Sequence, residues 1–137
     1  MNKRSLMLLT SLLVSPLVMA EVVVVGHPGG PDSITSNQVR DIYLNRSQQL
    51  PNGQKAKPFE LPEGDSARAE FHDKVTGRND AQLKAFWSQQ VFTGRGQPPA
   101  EQGNAAAMKA TVASTPGSIG YLDSADVDSS VKVLLTP

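Results

Sequence analysis

The sequence predicts an α/β layered domain with a mostly parallel sheet flanked by helices. Three observations carry that expectation. "EVVVVG" (21–26) is a continuous β-branched run stopped by glycine, the pattern of a strand buried on both faces. Helical patterns with their own start signals follow it. Short apolar runs ("KPFEL", "SIGYLD", "VKVLL") alternate with those helices instead of clustering as a meander.

Taken in order, "HPGGPDS" after the first strand is a loop by composition. Thr35 starts a helix, with Gln38 at the capping-box position and Ile34 and Val39 placed for a hydrophobic staple. Val39, Ile42 and Tyr43 form its apolar face. "RSQQLPNGQKAK" is a loop, and "KPFEL" a short strand with Phe59 and Leu61 on one face. The next helix starts near Asp65 and turns Phe71 and Val75 inward. Asn79 caps a third, with Gln82 at the box position and Leu83, Phe86, Trp87 and Val91 as its expected buried stripe. After "TGRGQPPAEQG" an alanine-rich helix over about 104–114 directs Met108 and Val112 inward. "TPGSIGYLD" ends it and opens a strand, and "VKVLL" (131–135) is the last. No internal repeat, linker or low-complexity segment interrupts the series.

The first twenty residues read as a signal. "MNKR" is a basic start, "LMLLTSLLVSPLV" a short apolar core, and "VMA" ends in Ala20, giving an expected cleavage before Glu21. The apolar core is short for a membrane span, and no second hydrophobic stretch follows it. The expected address is the bacterial periplasm, with no membrane insertion once the signal is removed. Residues 21–137 are one domain long and large enough for a single core. The chain has no cysteine, which excludes disulfides and a lipid-modified N-terminus. Removing Lys3 and Arg4 leaves eleven basic against thirteen acidic side chains, about −2 net. No basic stripe suits nucleic acid or a membrane surface.

No enzyme is visible. His27 and His72 are the only histidines, without metal-ligand spacing, and both read as surface residues. There is no nucleophile elbow and no phosphate-binding P-loop. Asp123, Asp126 and Asp128 lack the calcium-loop pattern. Neither a metal nor a cofactor is implied.

An anion site is better supported. "LPEGDSARAEF" (61–71) reads as strand end, glycine turn and helix start, which aims unpaired amides at one point. Gly64 permits close backbone approach. Ser66, Ala67 and Arg68 supply first-turn amides at the positive end of the helix dipole. Ser66 adds a hydroxyl and Arg68 a fork of donors suited to a tetrahedral oxyanion. Arg95, in "TGRG", is a second cation. Asp65 stands among these donors as a negative charge. The competing reading makes Gly64 and Asp65 a plain helix start and Arg68 a solvent-exposed helical residue.

Three segments resemble the phosphate-binding proteins of ABC phosphate importers. "SITSNQVRDIYLNRS" is similar to a family helix, "PEGDSARAEF" to the phosphate loop, and "AAAMKATVASTPGSIGYLD" to a segment carrying Thr-Pro-Gly-Ala-Ile-Gly-Tyr, the most specific of the three. The resemblance runs from Glu21 to the C-terminus in the family's order. It implies a three-layer α/β fold, one lobe of a type II periplasmic binding protein. It also implies a periplasmic module for phosphate or a similar oxyanion, serving uptake or sensing.

Two departures accompany the resemblance. Full-length relatives are two-lobed, so a second lobe would have to come from a protein partner or a homodimer. In the loop, Asp65 stands where the family has serine, Ser66 at its glycine, Ala67 at its threonine, and Leu61 where full-length members often have arginine. A carboxylate there can cap the helix and take amides an anion needs. The alternative is therefore a lobe-derived protein-interaction module that has lost its ligand, and Asp65 is the residue that separates the two.

Overall fold

The computed structural model describes residues 20–137. The expected signal peptide lies outside the described residues, except for Ala20. No described helix is long and apolar enough to cross a membrane.

Five strands form one sheet: β1 (Val22–Gly26), β2 (Lys57–Glu60), β3 (Ala100–Glu101), β4 (Ser118–Asp123) and β5 (Lys132–Leu135), in the order β3-β2-β4-β1-β5. β2 pairs in parallel with β3 and β4, while β1 pairs antiparallel with β4 and β5. Every strand except β1 therefore runs in one direction, and the mostly parallel sheet expected from the sequence is observed. β1 is an interior strand, between β4 and β5, and is covered on both faces, which is why four consecutive valines suit it: Val22, Val24 and Val25 are fully buried and Val23 nearly so.

The helices are α1 (Ser36–Tyr43), α2 (Ser66–Lys74), α3 (Asp80–Phe92) and α4 (Ala105–Ser114). Alternation along β4 separates the layers. A Cβ on Gly120 would meet Met108 Sδ at 2.6 Å and Val112 Cγ2 at 3.2 Å, so α4 covers that face closely. Tyr121 points the other way and stacks on Phe71 of α2, ring centroids 4.1 Å apart. Tyr43 of α1 meets Phe71 edge-on at 4.8 Å and donates its hydroxyl to the Phe59 carbonyl at 2.8 Å. Helices on both faces make the three-layer arrangement.

Side-chain caps fix where the helices begin. Thr35 and Asn79 each form a complete capping box, with Gln38 and Gln82 as partners. Asp65 and Asn104 cap α2 and α4. Met108 and Val112 are fully buried, as expected.

Two expectations are corrected. In α3 only Leu83 is buried; Phe86 and Trp87 are half-buried, Val91 is 44% exposed and the adjoining Phe92 92%. Leu83, Phe86, Trp87 and Val91 do stand at helical spacing, but beyond Leu83 little of the described chain covers them. His72 is not a surface residue: it is 2% exposed, held in the polar network described next.

Candidate functional site: the first turn of α2 and the carboxylate network beneath it

β2 ends at Glu60, and the chain turns through Pro62–Gly64 into α2. Gly64 has φ +88°, a left-handed conformation that strains any side chain with a Cβ. The turn is closed by the Asp65 amide donating to the Pro62 carbonyl at 3.1 Å. Asp65 then takes the N-cap position, its carboxylate accepting from the Ala67 amide at 2.8 Å. Ala69 closes the first helical bond, onto the Asp65 carbonyl. Among the described residues the amides of Ser66 and Arg68 have no hydrogen-bond partner, and the Ser66 side chain is exposed.

The Arg68 side chain runs inward from this turn. Only 8% exposed, it donates through Nη1 to the Leu61 carbonyl at 2.9 Å and to Glu60 at 3.5 Å, and through Nε to Asp80 at 3.1 Å. Glu101 stands 3.7 Å from the same guanidinium. Burial works against the charge, but Glu60 and the hydrogen bond to Asp80 outweigh it and hold the pKa above its ordinary value.

Glu60 is the centre of the buried network. Its carboxylate accepts from the Tyr121 hydroxyl at 2.5 Å and from His72 Nε2 at 2.9 and 3.1 Å. A carboxylate opposite Nε2 requires the proton on that nitrogen. Nδ1 of His72 pairs with the Thr76 hydroxyl at 2.9 Å. The Tyr121 oxygen also accepts the Leu61 amide at 3.0 Å, so it ties β4 to the end of β2. Burial, then the Glu60 charge, pushes the Tyr121 phenol far above its usual range. Among the described residues no buried side-chain nitrogen or oxygen of this network lacks a partner, which suits a rigid floor.

The structure thus brings Gly64, Asp65, Ser66, Ala67 and Arg68 together, with the Arg68 guanidinium directed down into the carboxylates. Arg95 is placed elsewhere. It is exposed in the loop after α3, its carbonyl accepting from Asn45 Nδ2 at 3.0 Å, in a hollow shared with Lys55 and Pro58 at the opposite end of β2. Sequence reasoning did not single out Glu60 or Tyr121, and it read His72 as a surface residue. Their contacts span twelve and sixty-one residues, and the available signal was a glutamate among apolar neighbours in a strand. No group of side chains among the described residues could hold a metal ion.

No family model and no curated protein matches the chain. Solved structures do. The chain is similar to a phosphate ABC transporter substrate-binding protein with bound phosphate from Clostridium perfringens (TM-score 0.67, 19% identity, covering 84% of this chain and 44% of that one). It is similar to an ABC-type phosphate transport receptor from Vibrio cholerae (TM-score 0.60, 16% identity, 84% and 45%). It is also similar to PstS from Borrelia burgdorferi (TM-score 0.63, 12% identity, 84% and 46%). The chain spans slightly under half the length of these structures. Its fold is therefore that of about one half of a phosphate ABC transporter substrate-binding protein.

Proposed function

We propose that this chain is a single oxyanion-binding lobe, for phosphate or a similar anion, acting in phosphate uptake or sensing in the periplasm after signal cleavage following Ala20. The carrying observation is the first turn of α2: a glycine turn at a strand end, two amides without protein partners and an exposed serine hydroxyl on one helix terminus. Its place in a fold shared with phosphate-binding proteins supports the reading.

Binding by the isolated chain is weak, for three physical reasons. Asp65 takes the Ala67 amide. The Arg68 charge is already matched by Glu60, Asp80 and Glu101. A single lobe covers an anion on one side, so water competes for each hydrogen bond. Arg95, at the other end of β2, is not part of this site.

Calorimetric titration of residues 21–137 with phosphate, sulfate and a phosphonate at low salt tests the proposal. Asp65→Ser keeps a good N-cap and removes the competing charge. It raises affinity for the phosphate dianion at least about tenfold, or about 1.4 kcal/mol. If Asp65→Ser abolishes binding that the parent shows, the carboxylate is a proton acceptor from the anion and the plugging account is wrong. If neither binds any of the three, the turn is only a helix start.

A second reading, a ligand-free interaction module, is favoured by one specific observation: the apolar face that α3 leaves exposed.

A further inference from the structure

The end of β2 opposite the α2 turn borders a separate hollow of about 250 Å³. Three stretches far apart in sequence enclose it: the end of α1 with the loop that follows, the segment leading into β2, and the loop after α3. Its polar lining is Asn45, Ser47, Gln48 and Gln97, its charges are Lys55 and Arg95, and no carboxylate lines it. Over residues 21–137 thirteen acidic side chains outnumber eleven basic ones, so two cations without a carboxylate are a local departure.

The backbone that carries the two cations is held. Lys55 bridges Gln49 across a hairpin, where the Ala56 amide donates to the Gln48 carbonyl at 2.8 Å. The Arg95 amide donates to the Gln90 carbonyl at 2.9 Å, and its carbonyl accepts from Asn45 Nδ2 at 3.0 Å, which joins segments fifty residues apart. Asn45 is the one non-glycine residue with positive φ among the described residues, at +57°, a conformation asparagine adopts more readily than most. Gly96 leaves room for it, since a Cβ there would stand 2.6 Å from Asn45 Nδ2.

The donors themselves are unengaged. Lys55 and Arg95 are exposed, and neither side chain is in an ion pair or hydrogen bond among the described residues. The amides of Gln48, Gly96 and Gln97 also have no partner there, and the Ser47 hydroxyl makes only 3.4 Å contacts to Gln49. Asp41, beside Ile42 in α1, is matched by Arg40 at 3.7 Å and Arg46 at 4.0 Å. Lys57, exposed at the start of β2, adds a further positive charge to this end.

We propose that this hollow is a second anion site, for a small phosphate-bearing dianion: phosphate itself or a short phosphate monoester. A guanidinium fork, an ammonium and neutral N–H and O–H donors on three segments suit the several oxygens of a tetrahedral group. The volume lies below the roughly 300–1,000 Å³ of pockets for drug-sized ligands, which keeps the occupant small. Both cations are exposed, so binding is weak and falls with salt. The site is separate from the α2 turn and holds whether or not that turn takes an anion.

Amide-resolved NMR titration of residues 21–137 with inorganic phosphate and with methyl phosphate, against sodium chloride at equal ionic strength, reads the two sites apart. Amides of residues 45–48, 55–57 and 95–97 shift and saturate, and the tighter of the two ligands names the class. Arg95→Gln and Lys55→Gln alter exposed side chains, so the fold persists, which the same spectra verify; each weakens binding at least about fivefold. Asn45→Gly keeps the left-handed backbone and both cations but removes the tie to Arg95, and weakens binding at least about threefold. Asp65→Ser leaves these shifts unchanged. The proposal is overturned by no saturation at about 10 mM of either ligand, where a site of Kd about 1 mM is some nine-tenths full. It is overturned equally by shifts that chloride reproduces, by a response confined to residues 64–68 or altered by Asp65→Ser, and by indifference to Arg95→Gln. Indifference to Asn45→Gly would reduce the hollow to two surface cations and overturns it as well.

Discussion

At the scale of single residues, Arg68 shows how one side chain can have a structural duty in a place suited to a ligand. Its guanidinium, buried between Glu60, Asp80 and the Leu61 carbonyl, neutralises a carboxylate that is itself 5% exposed. Removing one partner of a buried pair leaves the other charge without compensation, a cost of about 3–5 kcal/mol. Arg68→Ala is therefore expected to lower stability by about that amount in urea unfolding. Arg68→Met combined with Glu60→Gln is expected to cost clearly less than the sum of the single changes, because the stranded charge is gone. Additive losses would mean that the two groups do not act as a pair. It follows that loss of anion binding in Arg68→Ala reports on the fold beneath the turn, whereas Asp65→Ser reports on the turn itself.

At the scale of elements, the turn that joins α4 to β4 is the most constrained. Gly117 has φ +79°, and a Cβ there would stand 2.6 Å from the Lys55 carbonyl oxygen, a backbone atom that cannot swing away. The Gly117 carbonyl also accepts the Lys57 amide at 2.9 Å, so the turn sets where β2 joins the sheet. Gly117→Ala is expected to cost at least about 2 kcal/mol through backbone strain and overlap together, read as a lower thermal midpoint. Gly64→Ala has the strain but nothing within 4 Å of the added carbon, and is expected to cost less. An equal loss at both positions would show that strain alone decides.

Elements of this kind were legible because their determinants are local. Thr35 with Gln38 and Asn79 with Gln82 announce helix starts within four residues, and the valine run of β1 announces burial on both faces. β3 was not legible, since two residues of an exposed Ala-Glu pair carry no period. His72 was read as a surface residue because a histidine on a helix looks the same whether solvated or paired. The partners that decide it, Glu60 and Thr76, are known only once α2 lies on the end of β2. The exposed half of α3 was misread for the opposite reason. Periodicity states that a face is apolar, and does not state whether this chain or another covers it. In the candidate site, Asp65 as a cap was readable from its spacing to Ala67, while the engagement of Arg68 by three carboxylates from different segments was not.

At the scale of the whole molecule, the response to acid depends on carboxylates that the fold holds ionised. Asp128 accepts from the Ser130 hydroxyl and from Lys109 of α4 at 2.9 Å, and these contacts lower its pKa from 3.8 to about 2. Glu70 of α2 is lowered chiefly by its hydrogen bond from Lys74, with a smaller contribution from the Val22 amide of β1. A carboxylate depressed in the folded state binds its proton first in the unfolded chain. Its stabilisation is complete above the unfolded pKa and is lost as pH falls through the folded one. For Asp128 that window runs from near 4 down to about 2, and for Glu70 it begins near 4.5. Both groups join separate parts of the molecule: Asp128 links the turn before β5 to α4, and Glu70 links α2 to the start of β1. Urea midpoints measured from pH 5 to pH 2 are therefore expected to fall. The slope should be shallower in Asp128→Asn, and shallower again when Glu70→Gln is added. Both pairs are solvent-accessible, so the slopes should flatten in high salt. Identical slopes in the parent and in Asp128→Asn would show that the Lys109 and Ser130 contacts of Asp128 do not govern the acid response.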